Sequence, residues 1–431
     1  MFRPSVSFLA FVYVIISCTC CQCTSCSNDN LNFSLPEYYI DYLDGVIGEI
    51  ETLKKDQSDG FFFWTDTHYP ENSSYAPSII NYIQNRTGRC FVFNGGDVAK
   101  NADNLKVGLD INTSTFEAVV QNGLFFPIRG NHDYTSSTAR NVEFPETFDD
   151  KQVHDYLASF RSDLSVINSD DPFSNYYYVD SPEAGIRYIV FDTTDSVENG
   201  RIVYGISEAQ LQWIFERAVH TLPDGWSIVF FSHVPLGPDH TSVMSINEAA
   251  SRVLHTSSSR NVLFCLSGHR HSDMETGMGD VFQILTEADC LEDTGRTRTP
   301  YSFDPGMKIP GTVNEQTIDY VSISKDHSTV TMKRIGHGYD RIFNICPLEI
   351  PVGTSIRLKS GYEGPVTWFV YDADGCKVGR YDENRFRSMN TSHKYAEISE
   401  SGELRNISAG NSIAVATYPD GTKEYFMIKS R

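Results

Sequence analysis

The chain has 431 residues, of which 40% are hydrophobic, 13% aromatic and 21% charged. This composition excludes a disordered or low-complexity chain, and the length predicts one large domain with a small companion. The formal net charge is -21 and the isoelectric point is near 4.9. Such a chain would repel a polyanion, which excludes a protein that tracks long nucleic acids by charge. A small anionic substrate remains open if bound metal cations make its site locally positive.

The N-terminal segment predicts secretion. Arg3 precedes an apolar run at residues 8–16, which is the pattern of a signal peptide over residues 1–18. That run is too short to span a bilayer, and no later stretch approaches the roughly 20 apolar residues of a membrane helix. Residues 15–18 also resemble a bacterial lipobox, in which Cys18 would be acylated. We expect a secreted or cell-surface protein without a transmembrane segment, and a lipid anchor at Cys18 is the alternative.

Sequons for N-linked glycosylation point to the same compartment. Six Asn-x-Ser/Thr sequons begin at Asn32, Asn72, Asn85, Asn112, Asn390 and Asn406. They predict a secreted glycoprotein. Several arise by chance in a chain this rich in asparagine, serine and threonine, so the sequons do not identify the host organism.

Short apolar runs recur along the chain, and each of them ends at a polar cluster. After an amphipathic stretch at residues 35–55, the runs occupy residues 61–64, 90–93, 124–128, 226–231 and 262–266. Runs of this length indicate strands that are buried on both faces. Helical periodicity lies between them at residues 76–85 and 207–220. The alternation predicts an α/β architecture, in which ligands collect beyond the carboxyl ends of the strands.

The C-terminal part has a different pattern. A hairpin is predicted from residues 317–324 and 328–335, and short alternating strands with Asp-Gly turns follow from about Cys346. We predict a large domain at residues 35–343 and a small all-β, sandwich-like domain at residues 346–431. The smaller domain has no cluster of His, Asp and Cys, so we expect a structural or accessory binding role for it.

Five polar clusters, each directly after a strand signal, carry the chemistry. They offer only oxygen and imidazole ligands, in the order Asp66 with His68, Asp97, Asn131, His233, and His269 with His271. Any one cluster alone has an ordinary explanation, such as a capped turn or an Asx loop. All five together indicate a metal centre.

The ordered clusters D-x-H, G-D, G-N-H-D, H and G-H-x-H resemble the signature of the calcineurin-like metallophosphoesterase superfamily over about residues 61–271. The resemblance implies a four-layer αββα sandwich and two divalent metal ions. One ion would be bound by Asp66, His68, Asp97 and His271. The other would be bound by Asp97, Asn131, His233 and His269, with Asp97 as the bridge. Residues two apart on an extended segment point the same way, which agrees with a common ion for Asp66 and His68.

The same resemblance implies dinuclear-metal-dependent hydrolysis of small phosphate mono- or diesters by a metal-bridging hydroxide. His132 would be the general acid, and Asp133 would either hold the imidazole tautomer or cap the loop. Purple acid phosphatases place a tyrosine ligand three residues after the bridging aspartate, but Lys100 stands there, which argues against a ferric–tyrosinate site. The ligand set suits Mn, Zn, Co or ferrous iron and does not choose among them.

Two other functions stay open. One is a surface binding protein with an idle metal centre, whose β module engages glycan or protein. Degenerate centres usually lose ligands, and none of the seven is missing here. The other is a metal-dependent nuclease, which the charge balance limits to short or nucleotide-sized substrates. Arg129 and Arg270 flank the ligands and could contact a phosphate, although they are not part of the predicted site.

Overall fold

The computed structural model describes residues 35–68, 75–98, 123–133, 150–198, 201–237, 243–290, 307–373 and 394–431. The predicted signal segment at residues 1–18, Lys100, and the sequon asparagines other than Asn85 and Asn406 lie outside these ranges. Leu35–Arg431 forms one unit by its internal contacts. Within the described ranges, no helix is both long enough and apolar enough to cross a membrane.

Helices cover the outer faces of two β-sheets. Those described are α1 (Glu37–Lys54), α2 (Ala76–Thr87), α3 (Asp150–Phe160), α4 (Glu208–Trp213) and α5 (Met244–Ser257). A π-helical segment, Ile214–Val219, continues α4, and a short 3₁₀ helix spans Val313–Glu315. α1 forms an amphipathic helix because its inward side chains follow the helical period: Tyr39, Leu43, Val46 and Ile50. The helices predicted at residues 76–85 and 207–220 are confirmed as α2 and as α4 with its continuation.

The larger sheet contains strands from both ends of the chain. They are β1 (Gln57–Trp64), β2 (Phe91–Asn94), β3 (Phe125–Pro127), β13 (Thr317–Ser324), β14 (Thr329–Gly336), β15 (Arg341–Ile350), β17 (Thr367–Asp372), β20 (Gly410–Thr417) and β21 (Lys423–Ser430). The spatial order is β17-β20-β21-β15-β14-β13-β1-β2-β3. β1, β2 and β3 are parallel, and β13 pairs with β1 antiparallel. The predicted hairpin is confirmed as β13 and β14, which pair antiparallel.

The smaller of the two main sheets has seven strands. They are β4 (Val166–Ile167), β5 (Tyr177–Ser181), β6 (Ile186–Val190), β9 (Ser227–Ser232), β10 (Asn261–Ser267), β11 (Met274–Met278) and β12 (Val281–Leu285). The spatial order is β11-β12-β10-β9-β6-β5-β4, and β6, β9, β10 and β12 run parallel. A separate hairpin consists of β7 (Ser196–Glu198) and β8 (Arg201–Val203).

Four layers result because the two sheets pack face to face between the helices. Phe61 and Phe63 of β1 point into the core between the sheets, whereas Phe62 and Trp64 pack toward α1 and α2. This alternation explains why a continuous apolar run is buried on both faces. A third cluster joins α4 and α5 to the outer face of the seven-stranded sheet. The predicted α/β fold with an αββα sandwich is confirmed.

The described residues of the C-terminal segment form a β region, as predicted. β17, β20 and β21 extend the nine-stranded sheet, and a smaller sheet contains β16 (Ser355–Arg357), β18 (Ala396–Ile398) and β19 (Glu403–Asn406). An apolar cluster fills the space between the two sets of strands. The predicted boundary near residues 343–346 lies inside β15, which pairs with β14 and with β21. The sheet is continuous across that boundary, so separate folding of the two domains stays a prediction.

The two sequons in the described ranges differ in exposure. Asn85 is exposed near the end of α2. Asn406 is fully buried, and its side-chain amide donates a hydrogen bond to the carbonyl oxygen of Ile350 at 2.8 Å. Because a glycan needs a surface side chain, Asn406 cannot carry one in the folded protein.

Candidate metal centre

The predicted ligands follow the carboxyl ends of strands in both main sheets. Asp66 and His68 follow β1, Asp97 follows β2, Asn131 follows β3, His233 follows β9, and His269 and His271 follow β10. β1, β2 and β3 are parallel neighbours in one sheet, and β9 and β10 are parallel neighbours in the other. Parallel neighbours present their carboxyl ends at one edge. The two sheets therefore bring the seven side chains together at one end of the sandwich.

Asp66, His68 and His271 form the first ligand group, whose candidate ligand atoms lie within 4.8 Å of one another. Oδ1 of Asp66 lies 3.1 Å from Nε2 of His271 and 3.7 Å from Nε2 of His68. The two imidazole nitrogens are 3.1 Å apart. The buried Oδ1 has no well-oriented hydrogen-bond donor. Three converging lone-pair atoms with an unsatisfied carboxylate oxygen are suited to a shared cation.

Asp97, His233 and His269 form the second ligand group. Oδ2 of Asp97 lies 3.0 Å from Nε2 of His233, and Oδ1 of Asn131 lies 3.1 Å from the same nitrogen. Nδ1 of His233 donates to the carbonyl oxygen of Gly95 at 2.7 Å. That hydrogen bond fixes the ring so that Nε2 faces Asp97 and Asn131, as a metal-binding imidazole requires.

Asp97 connects the two ligand groups. Its Oδ2 lies 3.8 Å from Nε2 of His68 in the first group, besides contacting His233 in the second. This is the position that the sequence predicts for a bridging ligand. The oxygen and imidazole donors of the two groups match the ligands that divalent transition metals accept. The residues present therefore fit two cations.

Backbone strain is concentrated at the centre. Among the described non-glycine residues, positive φ angles occur at Asp66 (53°), His68 (47°), Asp97 (54°), His269 (69°), His271 (54°) and, outside the centre, His327 (56°). This left-handed conformation costs about 1 kcal/mol or more for a residue with a side chain. Five of these six residues are predicted ligands, so the fold holds the ligands in a geometry that local preference would not choose.

Close backbone approach explains two of the glycines in the motifs. A Cβ atom on Gly130 would lie 2.2 Å from the backbone nitrogen of Asp97. A Cβ atom on Gly268 would lie 2.4 Å from Oδ2 of Asp66. Any side chain would push the two strand ends apart. Glycine at these positions lets loops from different strands place their ligands next to one another.

The electrostatic field of the centre favours bound positive charge. Burial acts to raise the pKa of Asp66, but the charges of His271 and His233 hold it well below its usual value. Burial acts to lower the pKa of His233, but Asp97 and Asp66 raise it to about 9. Burial and the nearby His233 lower the pKa of His269 well below its usual value. A proton on His233 thus compensates two buried carboxylates, and a metal cation would take its place.

His132, the predicted general acid, lies at the edge of the centre. Its Nε2 is 4.0 Å from Oδ2 of Asp97, and its ring packs edge-on against His68 with 4.9 Å between centroids. The side chain is 15% exposed. His132 therefore stands beside the ligands and also reaches the space from which a substrate would enter.

Asp133 lies deeper, and its carboxylate faces the backbone. It accepts hydrogen bonds from the N–H groups of Asp97, Val98 and Gly130. These are the bonds of a loop cap, which is one of the two roles considered for Asp133. They tie the loop after β2 to the loop after β3. Burial and the charge of Asp97 raise the pKa of Asp133, and the N–H donors act in the opposite direction.

Sequence analysis missed two residues that touch the ligands. Thr65 donates its hydroxyl hydrogen to Oδ2 of Asp66 at 2.7 Å. Tyr204, directly after β8, packs edge-on against His269 with 5.7 Å between ring centroids, and it is 37% exposed. Burial raises the pKa of Tyr204 to about 12. The position of Thr65 beside Asp66 is a local signal, whereas the contact made by Tyr204 depends on tertiary structure alone.

The side chain of Arg129 forms a buried ion pair. Its side chain is buried, and Nη1 lies 3.1 Å from Oδ2 of Asp192, which is buried as well. A buried ion pair of this kind holds the guanidinium inside the protein. Arg129 therefore supports the chain beside Asn131 through this ion pair.

The layered fold and the paired ligand groups are those of a metal-dependent hydrolase. Residues 61–273 match the calcineurin-like phosphoesterase family. These residues form a calcineurin-like phosphoesterase domain, which confirms the resemblance found in the sequence. The chain is accordingly a phosphoric ester hydrolase, and the two ligand groups are its candidate dinuclear metal site.

Solved structures to which this chain is similar include a phosphatase and nucleotidases. A dimetal phosphatase from Danio rerio is 18% identical, with 67% of this chain and 99% of the other covered and a TM-score of 0.42. A 5'-nucleotidase from Candida albicans is 12% identical, with 67% and 51% covered and a TM-score of 0.38. A putative 5'-nucleotidase from Staphylococcus aureus is 12% identical, with 64% and 53% covered and a TM-score of 0.35. The chain spans about half the length of each nucleotidase. No curated protein sequence matches it.

Proposed function

We propose that this protein hydrolyses phosphate mono- or diesters of small molecules at a centre that holds two divalent cations. The observation that carries the proposal is the pair of largely buried ligand groups with Asp97 between them. The ligands of one cation are Asp66, His68, Asp97 and His271, and those of the other are Asp97, Asn131, His233 and His269. When bound, such ions activate water for attack on phosphorus and neutralise charge on the phosphate oxygens.

The net charge of the chain and the charge at the centre together favour a small phosphorylated substrate. The chain has a formal net charge of -21, which opposes the approach of a long nucleic acid. At the centre itself, the carboxylates of Asp66 and Asp97 balance only part of the charge of two divalent cations. The remaining positive charge attracts a phosphate group into a protein that is otherwise acidic. A small phosphorylated molecule satisfies both conditions.

His132 donates a proton to the leaving oxygen. Its backbone N–H binds Oδ1 of Asp97 at 2.6 Å, which fixes the residue next to the centre. Its ring lies beside His68 and is partly exposed. A leaving group with a high pKa departs more easily when a positioned acid protonates it. Asp133 contributes by fixing the loop that carries His132, through its hydrogen bonds to the backbone.

The proposal also includes the identity of the metal ions and the location of the protein. Oxygen and imidazole ligands suit Mn, Zn, Co or Fe. The protein is secreted or displayed at the cell surface, directed by the signal at residues 1–18, and acylation of Cys18 is the alternative. An idle metal centre on a surface binding protein is disfavoured because all seven ligands are present.

Elemental analysis combined with hydrolysis assays tests the proposal. The purified protein should contain about two ions per chain and hydrolyse nitrophenyl phosphate or bis-nitrophenyl phosphate. A chelator should abolish the activity, and Mn²⁺, Zn²⁺ or Co²⁺ should restore it. Full activity in a metal-free preparation would contradict the proposal. Two bound ions without hydrolysis of any phosphate ester would instead favour the surface binding protein.

A further inference from the structure

Buried charges replace the apolar core at the end of the sandwich where the metal centre lies. Asp319, Arg334 and Arg341 lie on the adjacent strands β13, β14 and β15, and none is more than 3% exposed. Asp319 is the register partner of both Phe63 on β1 and Arg334 on β14. The charged layer therefore begins beside the residues that lead into Asp66.

Arg334 joins the nine-stranded sheet to the chain that follows His271. Its Nε donates to Oδ1 of Asp319 at 2.9 Å, and its Nη2 donates to Oδ1 of Asp273 at 2.8 Å. Asp273 lies two residues after His271 and directly before β11. The same Oδ1 accepts the backbone N–H of Glu287 at 3.0 Å. One guanidinium group thus fixes the end of the loop that carries His271.

Arg341 extends the link toward the loop of Asp66. Its Nη1 lies 3.3 Å from Oδ1 of Asp273, and its Nη2 donates to the hydroxyl of Thr286 at 2.8 Å. The chain after Thr286 then reaches the first ligand group. The backbone N–H of Asp289 donates to the carbonyl oxygen of Thr65 at 2.9 Å, and the N–H of Cys290 donates to that of Asp66 at 3.0 Å.

The second ligand group has different supports. His233 is held by the carbonyl oxygen of Gly95, and the loop of Asp97 is held by Asp133. The contacts described for Arg334 and Arg341 lead to the loops of His271 and Asp66 instead. His269 of the second group shares the loop of His271, and its backbone N–H donates to Oδ2 of Asp66 at 2.9 Å. The buried arginines are therefore placed to act chiefly on the first ligand group.

We propose that Arg334 and Asp273 are positioning residues for the cation held by Asp66, His68 and His271, an inference that rests on the proposed dinuclear centre. A guanidinium fork held by two carboxylates fixes direction as well as distance, which a single point charge does not. Nη2 of Arg334 and Nη1 of Arg341 lie 2.8 and 3.3 Å from Oδ1 of Asp273, which is the geometry of a buried ion pair. Residues that orient metal ligands typically change metal affinity about 10–100-fold when they are replaced.

Titration of the metal-free protein with Co²⁺, followed by calorimetry and by the absorption of the bound ion, tests this role. In Arg334→Met and Asp273→Asn, the affinity for one ion should fall about 10–100-fold, and the affinity for the other should fall clearly less. Arg334→Lys keeps the charge but loses the fork, so it should recover only part of the affinity.

Arg187 offers a matched control. It is also buried, it donates to both carboxylate oxygens of Asp180 at 2.6 and 2.8 Å, and it lies at the amino end of β6, away from the centre. Arg187→Met should lower thermal stability while both Co²⁺ affinities remain those of the wild type. A loss of Co²⁺ affinity in this variant equal to that in Arg334→Met would overturn the proposal.

The outcomes separate this inference from the proposed function. Unchanged Co²⁺ affinities in Asp273→Asn, or equal weakening of both ions, would overturn the positioning role while the dinuclear centre stands. A wild-type protein that binds no Co²⁺ would overturn the proposed centre and the inference with it. Asp273→Asn removes a charge but almost no volume, so it decides the question even if Arg334→Met fails to fold.

Discussion

The two ligand groups differ in how the protein holds them. In the second group, His233 is fully buried and is oriented by the carbonyl oxygen of Gly95, which follows β2 in the other sheet. In the first group, the side chain of His271 is 16% exposed, and its loop is fixed from the other sheet through Asp273 and Arg334. A hydrogen bond to a backbone carbonyl therefore orients a ligand in one half of the centre, and ion pairs between side chains brace the other half. We expect the two ions to differ in affinity and to respond to different substitutions.

The largest effect should come from Asp97, the residue that touches both groups. Asp97→Ala should lose most of both ions and nearly all activity, because each ion loses a ligand and His233 loses its nearest carboxylate. His271→Ala should retain about one ion per chain, since it contacts only the first group. Elemental analysis of the two variants measures the difference. Equal occupancy in both would refute the bridging position of Asp97.

Removal of His132 should separate chemistry from metal binding. His132→Ala should keep both ions and lose about 10²–10⁴-fold in rate on an alkyl phosphate, which is the usual contribution of a positioned proton donor. The loss should shrink for a nitrophenyl ester, because nitrophenolate leaves with little need of a proton. Rates on both esters and the metal content decide the result. Lost metal, or equal rate defects on both esters, would exclude the general-acid role.

Replacement of Gly268 or Gly130 by alanine should weaken metal binding by the two ligand groups to different extents. In Gly268→Ala the new methyl group meets Asp66, so the first ion should bind more weakly. In Gly130→Ala it meets Asp97, so both ions should be affected. Each change should also lower the free energy of unfolding by about 1–3 kcal/mol, as expected when extra volume enters a filled space. Metal titration and thermal unfolding measure both effects. Identical metal binding in the two variants would contradict the expectation that Gly268→Ala affects one ion and Gly130→Ala affects both.

The smallest rate effect should follow from Asp133. If its carboxylate is a loop cap, Asp133→Asn should lower the free energy of unfolding by about 1–3 kcal/mol, because a buried N–H loses its acceptor. The rate should change little, and the pH dependence of the rate should keep its shape. If Asp133 instead holds the imidazole tautomer of His132, the rate should fall strongly without a comparable loss of stability. Kinetics and chemical unfolding of the same preparation distinguish these roles.

Local pattern was sufficient to predict the strands and to propose the candidate ligands. The run from Phe61 to Trp64 and the polar residues after it encode a buried strand and its ligands within one short segment, so the sequence predicts both. The burial of Asn406 and the ion pair of Arg129 were not predictable, because each depends on a partner far away in the chain. The pairing of β15 with β21, which makes the larger sheet continuous, is also long-range and leaves no periodic signal.

The left-handed backbone at Asp66, His68, Asp97, His269 and His271 has a consequence for assembly. Hydrogen bonds within the protein hold these loops, since the N–H groups of Asp66 and His68 donate to the carbonyl oxygens of Gly96 and Asp97 at 2.9 and 3.1 Å. The chain should therefore fold first and take up its ions afterwards, unlike small domains that stay unfolded until zinc binds. Loading then depends on how quickly an ion loses its water shell and passes the exposed edge at His132 and His271. Exchange of one metal for another can proceed without unfolding the protein.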